Sequence, residues 1–599
     1  MEIIKGVFTG IGEFLISIPA SIGDTFSSAN SMGDIYTTFA RWIFIFLAFY
    51  ILLKSIKSLL KSNNAAEVWA YLNTGPFINI PLKHWENVIG RAKSCDVQID
   101  DMSVSRSHGT LTRDNDGIWK YMDLGSKNGA VLNGARLEPN TEVELKTGDS
   151  LVLGKAKCML FPISIEERRN NIWHRTKDTV LVSPWQSLIA ITIFQIMTVI
   201  QLMIGLDQKY NQQITISYMG LCGLMWGYVI VLRGMKRKGF EMELIAFFLS
   251  GLSLAVTSTA FPDQVFKQFI AICMGVGLFF FMCTWLRELP RTIKIKNIVY
   301  AIAVVLFLIN VFFGETRNGN TNWVRIGSLT IQPSELVKLA FIWVGAASLD
   351  ELFEKKNTLI FTGFSLFCFG CLAVMGDLGT ATIFFVTFLI ISFLRSGDFT
   401  KIIVFVGVAL VAGLVALRFK GYALARILAW GHMWEPQYIN AREGYQITRN
   451  MTASSSGGFV GLGAGNGWLK TLEAAETDLV FGVVTEEWGL IIAILSVLAI
   501  LTLSIFAYRS ILNGRSTYYT IAACSAMSIF IFQTMLNVLG SLDLLPFMGV
   551  AFPFLSYGGT SMIASWGLLA FLKSADTRQN ASFAVSLKDR GIGEEEDRL

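Results

Sequence analysis

The sequence predicts a polytopic α-helical membrane protein with an all-β sandwich inserted after its first membrane span. Three observations support this fold class: apolar residues form long runs, basic residues collect in alternate loops, and residues 65–165 differ from the rest in composition. Of the 599 residues, 53% are hydrophobic, and the mean hydropathy is +0.51. A soluble chain of this length would instead distribute its apolar residues periodically over several domains.

The apolar runs predict about thirteen membrane spans. Most have roughly the 17–25 residues that a helix needs to cross a bilayer, and the few shorter runs are included because their charged flanks agree. Helices are expected because they satisfy every backbone polar group internally. The predicted spans are residues 41–60, 185–206, 215–232, 243–260, 266–284, 297–313, 334–349, 358–375, 380–394, 401–417, 485–507, 518–539 and 550–572.

The basic residues predict how these spans are oriented in an inner (plasma) membrane. Short loops rich in lysine and arginine stay in the cytoplasm, and here such loops alternate with loops of little positive charge. Residues 61–184 and the C-terminal tail are therefore predicted inside, and residues 1–40, 314–333 and 418–484 outside. The basic loops hold Arg233, Lys236, Arg237, Lys238, Arg287, Arg291, Lys294, Lys296, Lys355, Lys356, Arg509 and Arg515.

Composition divides the chain into five predicted segments. Residues 1–64 carry one span, 65–165 form the sandwich, 166–184 are a basic linker, 185–573 form the multi-span body, and 574–599 are a cytoplasmic tail. None of the eight cysteines falls in a predicted outer loop, so no disulfide framework is expected. The four histidines have no metal-ligand spacing, and nucleic acid is not expected as a partner.

The segment 65–165 contains short alternating runs that end in Gly, Asn and Asp turns, a pattern typical of an antiparallel sandwich. The predicted strands are Phe77–Leu82, Asp96–Ile99, Gly109–Arg113, Ile118–Met122, Thr141–Leu145, Ser150–Leu153 and Cys158–Phe161. The turns between them hold the polar residues of interest: Gly90-Arg91, Ser105-Arg106-Ser107-His108, Ser126-Lys127-Asn128-Gly129 and Asn133-Gly134.

The order and spacing of these turns resemble those of a forkhead-associated (FHA) domain. The resemblance implies that Arg91 and Ser105 hold a phosphothreonine phosphate beside Arg106, that Lys127 adds a donor, and that Asn128 grips the peptide backbone. A phosphate of nearly two negative charges calls for a fixed guanidinium and neutral donors on rigid loops. His108 and Asn133 are expected to brace the loops. The alternative is a decayed pocket on a sandwich that serves only as a scaffold.

In the membrane body, polar clusters lie at the outer ends of spans. Charged side chains are energetically costly there, so they indicate a functional role. The first cluster contains Arg325 and, on one helix face, Glu335 and Lys338, which are expected to pair. The second lies in the outer loop 420–485, and the third is the string around Ser556. The candidate residues of the last two clusters are Arg426, Glu435, Tyr445, Gln446, Asp478, Glu486 and Ser556.

The strings QPSELVKL, DLGTA, GYQ, ETD, EEWGL and PFLSYGGTS, in this order, resemble the SEDS family, whose members include FtsW, RodA and SpoVE. The resemblance covers residues 297–573 well and 185–296 loosely. It implies polymerisation of lipid II into peptidoglycan glycan strands, with a class B penicillin-binding protein (transpeptidase) as partner. The FHA-like insert adds a phosphothreonine protein, a Ser/Thr kinase target, as a second partner.

Glycosyl transfer from a lipid diphosphate needs a carboxylate to take the proton of the acceptor hydroxyl. The family places an Asp before a Pro in the outer loop, and here Glu435 precedes Pro436, so Glu435 is the candidate base and Glu443 the local alternative. The departing diphosphate needs cations, for which Arg325, Lys338, Arg426 and Lys470 are candidates, or a divalent metal such as Mg²⁺ or Mn²⁺. Arg325, Glu335, Lys338 and Glu435 form the predicted catalytic set.

The remaining predicted roles are in substrate binding, by Arg426, Tyr445, Gln446, Asp478, Glu486 and Ser556. Because the family Asp is a Glu in this chain, two alternatives to a polymerase stay open. One is a lipid II flippase or transporter, which the charges inside a polytopic body would suit. The other is a catalytically silent scaffold that recruits a phosphorylated partner to a cell-wall complex in division, elongation or sporulation.

Overall fold

The computed structural model describes residues 32–61, 68–75, 78–84, 86–93, 95–113, 117–164, 166–167, 183–235, 237–317, 320–327, 329–348, 355–396, 399–419, 421–511 and 516–576. The predicted positions of residues 1–31 and of the tail beyond Asp576 lie outside this range, as does most of the basic linker. The described chain is a bundle of long helices with a two-sheet β-sandwich between the first and second of them.

The helices of the bundle are long and apolar, which is what the runs in the sequence predict. In chain order they are α1 (Met32–Lys61), α2 (Pro184–Gly205), α3 (Asn211–Gly234), α4 (Glu241–Ala260), α5 (Val265–Trp285), α6 (Leu289–Lys294), α7 (Lys296–Phe313), α8 (Pro333–Ser348), α9 (Lys355–Met375), α10 (Leu378–Ser396), α11 (Phe399–Phe419), α12 (Gly421–Ala429), α13 (Arg442–Gly457), α14 (Val480–Trp488), α15 (Leu490–Ile511), α16 (Thr517–Ser541) and α17 (Gly559–Ser574).

Among the described residues, eight helices are long and apolar enough to cross a membrane, and three further apolar helices are shorter. The sequence-based count of about thirteen spans is therefore not confirmed, although helices occur at every predicted run. The last run differs most: only Gly559–Ser574 is helical, because residues 549–558 contain the turn-forming Gly549 and Gly558, both at positive φ. Helix α4 is the centre of the bundle, since its whole apolar window is buried.

The sandwich consists of two sheets with strand orders β2-β1-β11-β10-β7-β8 and β4-β3-β5-β6-β9. Its strands are β1 (Ala70–Gly75), β2 (Ile78–Leu82), β3 (Glu86–Gly90), β4 (Val97–Gln98), β5 (Gly109–Arg113), β6 (Trp119–Asp123), β7 (Ala130–Leu132), β8 (Ala135–Arg136), β9 (Glu142–Leu145), β10 (Ser150–Leu153) and β11 (Ala156–Pro162). The core between the sheets includes the fully buried Leu72, Leu111, Tyr121 and Leu151. The alternating runs thus predicted the sandwich, but not β1, β3, β7 and β8.

The bundle has two ends that matter for function. The sandwich end is the end at which α1 finishes and α2 begins; there Ser58 of α1 donates a hydrogen bond to Glu241 at the start of α4. The distal end is the opposite one, where Gly205 at the finish of α2 packs on the backbone of Ala464. A small antiparallel sheet of β12 (Glu315–Arg317), β13 (Asn320–Ile326) and β14 (Leu329–Ile331) precedes α8. The loops between α12 and α14 complete the distal end.

Candidate functional site

A buried ion pair lies on the first turn of α8. Lys338 Nζ is 2.7 Å from Glu335 Oε1, and the two side chains are 1% and 7% exposed. Residues three apart on a helix share a face, so their pairing is built into the sequence. The predicted pairing of Glu335 with Lys338 is confirmed. A charge this deeply buried is tolerated only with a partner, so neither residue is available to solvent.

Asp377 lies beside this pair, at the turn between α9 and α10. Its carboxylate accepts hydrogen bonds from Asn322 Nδ2 of β13 at 2.7 Å and from the Thr380 backbone N–H at 2.9 Å. The side chain is buried and close enough to Lys338 and Glu335 for their charges to interact. The buried charges at the start of α8 are therefore two acids, Glu335 and Asp377, and one cation, Lys338. Asn322 connects the small sheet to the helices through its hydrogen bond to Asp377.

Asp478 lies in the loop before α14, and its charge interacts with that of Asp377. Burial raises the pKa of its carboxyl to about 6, while the nearby Arg426 guanidinium opposes that shift and Asp377 adds to it. Gly549 packs directly against Asp478: a Cβ at that glycine would stand 3.0 Å from Oδ2. Arg426, half-buried on α12, also donates to the Phe547 carbonyl at 3.2 Å. Asp478 and Arg426 are both half-buried, and the charge of the guanidinium acts on the carboxylate.

The loops around Asp478 are fixed by hydrogen bonds from side chains to backbone. Ser556 Oγ donates to the Thr477 carbonyl at 2.6 Å and accepts from the Phe552 N–H at 2.8 Å. Asn537 of α16 donates to the carbonyls of Asp478, at 3.0 Å, and Val550, at 2.8 Å. Ser556 therefore makes an internal contact that joins the string PFLSYGGTS to the string ETD.

Glu486 is likewise engaged inside the protein. Its carboxylate accepts from the backbone N–H groups of Trp468, at 2.9 Å, and Leu469, at 3.0 Å. The glycine-rich loop in turn donates from Leu462 and Gly463 to the carbonyls of Glu486 and Glu487, which satisfies the end of α14. Gly461, with φ +82°, lies against the carbonyl of Glu487, so a side chain there would collide with the backbone. Glu486 holds this loop in place.

Glu435 lies at the surface of the distal end, in the turn that follows α12. Its Oε1 is 2.8 Å from His432 Nδ1, and its Oε2 accepts from Gln437 Nε2 at 2.9 Å. The carboxylate is 45% exposed, so it can reach a bound molecule while both oxygens remain oriented. The side chain of Glu443, the alternative base, lies outside the described residues.

One small apolar cluster joins the Glu435 turn to the Asp478 loop. It contains Ala429, Met433, Ile447, Leu479 and Phe547. Met433 precedes Glu435 by two positions, and Leu479 follows Asp478 directly. A solvent-facing carboxylate and the half-buried Asp478 therefore border the same packed unit.

The other predicted residues are more peripheral. Arg325 is exposed on β13 and pairs with Glu315 at 3.8 Å, away from the buried charges. Tyr445 is exposed on α13, with Arg449 over its ring at 4.5 Å. Gln446 donates to the Glu473 carbonyl at 3.0 Å. The structure thus brings together Glu335, Lys338, Asp478 and Arg426, and leaves Arg325 outside.

Two residues of the distal end were not among the sequence-based candidates. His432 had no local signal, because a lone histidine in a polar loop is commonplace. Asp377 did have one, since it begins the string DLGTA that carries part of the family resemblance. The residues that the structure describes include no group of three His, Cys, Asp or Glu side chains that could hold a metal ion.

The turns of the sandwich build a second polar site. Arg91 follows β3, and its N–H donates to the Ser105 carbonyl at 3.0 Å. Ser105 Oγ accepts from the Lys127 N–H at 3.0 Å, so the two loops touch at this hydroxyl. Asn128 Nδ2 donates to the Ser103 carbonyl at 2.7 Å. Arg91 and Ser105 are half-buried, whereas Arg106, Lys127 and Asn128 are exposed, which leaves donors facing solvent.

His108 supports these loops from inside. It is fully buried, its Nδ1 accepts from the Ser105 N–H at 3.1 Å, and its Nε2 lies 3.2 Å from the Gly129 carbonyl. Burial lowers the pKa of the ring, so the neutral form is favoured, with the proton on Nε2. Asn133 similarly bridges Asp149 and Ser150. Both residues brace the loops as expected.

This fold and these sites define a polytopic helical membrane protein with a charged distal site and a β-sandwich whose loops present polar side chains, among them Arg91 and Lys127. A model of the FtsW/RodA/SpoVE family, described as cell cycle protein, matches residues 240–581. An FHA-domain model matches residues 87–154. Because the first match covers more than half of the chain, the protein belongs to the FtsW/RodA/SpoVE family, and it carries an FHA domain.

Several curated relatives are named "Probable peptidoglycan glycosyltransferase FtsW". The one from Pseudoalteromonas translucida is 31% identical over 335 residues, which cover 51% of this chain and 81% of the relative. The one from Wigglesworthia glossinidia brevipalpis is 31% identical over 367 residues, which cover 57% and 94%.

Among solved structures, the rod shape determining protein RodA of Thermus thermophilus is 21% identical, with a TM-score of 0.41; the match covers 56% of this chain and 94% of RodA. A chain from a peptidoglycan synthase complex is 21% identical, with a TM-score of 0.47, and covers 56% and 96%. A structure from a study of phosphothreonine-dependent FHA domain interactions is 26% identical and covers 16% of this chain and 99% of that chain, with a TM-score of 0.15.

Proposed function

We propose that this protein is a peptidoglycan glycosyltransferase that polymerises lipid II, and that its FHA domain regulates it by binding a phosphothreonine protein. The observation that carries the proposal is the half-exposed Glu435 carboxylate, oriented by His432 and Gln437 in a turn that shares an apolar cluster with the loop of Asp478. The relatives at 31% identity, which are named for this activity, support the reaction class.

In this proposal Glu435 is the general base. It takes the proton from the acceptor hydroxyl as that oxygen bonds to the sugar carbon of the donor, while the bond to the lipid diphosphate breaks. A positioned base of this kind contributes typically 10²–10⁴-fold in rate. His432 and Gln437 keep both carboxylate oxygens in fixed directions, and His432 is placed to pass the proton on to water.

The negative charge that develops on the departing diphosphate needs fixed positive charge nearby. Arg426 is the best-placed cation among the predicted residues, because it is half-buried and borders the same apolar cluster as Glu435. Lys338 is committed to Glu335, so in this proposal it sets the charge of the buried network and does not touch substrate. Arg325 is placed to meet the substrate only at the periphery.

The partners follow from the two sites. The distal site is proposed to take lipid II outside the inner membrane and to work with a class B penicillin-binding protein that cross-links the product. The FHA loops, proposed to face the cytoplasm, would take the phosphothreonine of a kinase target through Arg91, Ser105 and Lys127, since phosphate is best held by charge-assisted hydrogen bonds.

The experiment is to supply purified full-length protein with lipid II, alone and with its transpeptidase, and to resolve glycan strands by gel electrophoresis. Strands longer than the starting material support the proposal. If no strands form, but the protein moves lipid II across vesicle membranes, the flippase alternative holds instead. If neither activity is seen with the partner present, the chain is a scaffold.

A further inference from the structure

A contact joins the FHA domain to the membrane body. Glu86, the first residue of β3, meets the start of α16: its Oε1 accepts from Ser516 Oγ at 3.0 Å, and its Oε2 accepts from the Thr517 N–H at 3.2 Å. Ser516 is the N-cap of α16, and its Oγ also accepts from the Tyr518 N–H at 3.2 Å. Ser516 is only 3% exposed and Glu86 is half-buried, so the contact is partly shielded from solvent.

A carboxylate at the start of a helix is a stabilising contact. The first N–H groups of a helix have no partner within it, and the helix dipole makes that end electropositive. A carboxylate from outside the helix satisfies both requirements at once. Since both oxygens of Glu86 are used, they fix the direction of β3 as well as its position.

Strand β3 leads from this contact to the phosphate site. It spans Glu86–Gly90, and Arg91 follows directly. At roughly 3.3 Å per residue, Arg91 lies about 16 Å from Glu86 along the strand. The docked sandwich therefore keeps its peptide loops away from the contact, with Arg106, Lys127 and Asn128 still exposed.

Helix α16 leads from the same contact to the distal end. At 1.5 Å per residue, Asn537 lies about 30 Å from Thr517 along the helix axis. Asn537 donates to the carbonyl of Asp478, and Ser541, the last residue of the helix, accepts from Asn450 Nδ2 at 2.9 Å. One strand and one helix, meeting at Glu86, thus connect the phosphate site to the loop that holds Asp478.

We infer that the FHA domain is docked on the membrane body through Glu86, and that phosphothreonine binding at Arg91 is thermodynamically coupled to this docking. The coupling rests on the proposed phosphothreonine binding, but not on polymerase activity. Linkage requires reciprocity: the factor by which peptide binding changes the docking equilibrium is the factor by which docking changes peptide affinity.

Docking is tested by amide hydrogen exchange at the start of α16 in the full-length protein in nanodiscs. Glu86→Ala removes the acceptor of the Thr517 N–H, so exchange of residues 517–520 should become at least tenfold faster than in the wild type. Glu138→Ala, which changes an exposed glutamate of the same sandwich, is the matched control and should leave the rate unchanged. Equal rates in Glu86→Ala and wild type would overturn the docking.

Coupling is tested by titrating the same full-length proteins with a phosphothreonine peptide selected from an oriented library and with its unphosphorylated twin. We expect at least a threefold change in affinity for the phosphopeptide in Glu86→Ala. Ser516→Ala should shift the affinity in the same direction, because it weakens the contact without altering the sandwich. Saturating phosphopeptide should change exchange of residues 517–520 by a matching factor in the wild type.

Equal phosphopeptide affinity in wild type, Glu86→Ala and Ser516→Ala would overturn the coupling. If the wild type bound neither peptide, the proposed phosphothreonine function and the coupling would both fail. The docking itself would still be judged by the exchange rates, so failure of the proposed function and failure of the docking give different results.

Discussion

His432 Nδ1 lies 2.8 Å from Glu435 Oε1, in the turn that follows helix α12. The histidine precedes the glutamate by three residues, and the Glu435 N–H donates to the His432 carbonyl at 3.0 Å. Backbone and side chains therefore hold this pair together. The pair gives the exposed carboxylate a fixed orientation, which a general base requires before any substrate arrives.

Replacing His432 with alanine should lower the polymerisation rate by roughly ten- to a hundredfold, because a hydrogen bond to a charged group contributes roughly 1.5–3 kcal/mol and the base itself remains. His432→Gln, which keeps a donor, should recover part of the loss. Rates with purified protein and lipid II measure both effects. Trp434→Ala, a change of an exposed neighbour, serves as the control. A wild-type rate in His432→Ala would show that the imidazole has no part in positioning Glu435.

Asp478 should make folding stability depend on pH in a known direction. Its folded pKa, about 6, lies above the ordinary 3.8, so the folded state keeps a proton that the unfolded chain loses first. Stability is then lost as pH rises from about 4 to about 6, by up to roughly 3 kcal/mol at 1.36 kcal/mol per pKa unit.

The measurement for Asp478 is thermal unfolding of detergent-purified wild type and Asp478→Asn between pH 4 and pH 8. The asparagine variant should lose less stability from pH 4 to 6 and run parallel to the wild type above that. Asp263→Asn, at an exposed position of the same end, should follow the wild type throughout. If the curve of Asp478→Asn ran parallel to that of the wild type over the whole range, the raised pKa of the Asp478 carboxyl would be contradicted.

Arg91→Ala should abolish binding of a phosphothreonine peptide while the sandwich stays folded. The guanidinium leaves a loop and opens no cavity in the core, but two or more charge-assisted hydrogen bonds are lost. Fluorescence polarisation with phosphorylated and plain peptides gives the affinities. Lys93→Ala, which removes an exposed positive charge two residues away, should bind within about threefold of the wild type. Unchanged binding by Arg91→Ala would move the phosphate site elsewhere.

The orientation is tested by cysteine labelling of intact cells. Thr471→Cys, in the distal loops, should react with a membrane-impermeant maleimide from outside, because the short loops of that end, 205–214, 261–265, 376–379 and 541–549, carry little of the positive charge that stays in the cytoplasm. Glu138→Cys, in the sandwich, should react only after lysis. The protein with its native cysteines alone sets the background. Labelling of Glu138→Cys in intact cells would reverse the proposed topology.

Local patterns in the sequence predicted much of this architecture. Apolar runs marked the positions of the helices, alternation marked the sandwich, and the three-residue spacing of Glu335 and Lys338 predicted an ion pair that the structure has at 2.7 Å. Such features depend on neighbours along one helix or strand, so periodicity is enough to find them.

Contacts between distant segments could not be predicted in this way. Asn322 and Asp377 are 55 positions apart, and Arg426 acts on Asp478 across the whole α13 segment. Glu486 and Ser556 are polar residues near motifs, and their side chains form hydrogen bonds with backbone groups. Nothing in the local sequence indicates these partners. The packing that decides these pairings is set by the folded bundle.

The most direct test of the central claim is the rate of lipid II polymerisation by purified wild type and Glu435→Gln, with Glu443→Gln as the matched control. Glutamine keeps the size of the side chain and one acceptor oxygen but cannot take a proton at neutral pH. We predict robust glycan synthesis by the wild type and by Glu443→Gln, and a loss of about 10²–10⁴-fold in Glu435→Gln at equal protein level. A Glu435→Gln rate above about a tenth of the wild type would contradict the role of Glu435 as the base, since loss of a positioned general base typically costs at least about a hundredfold.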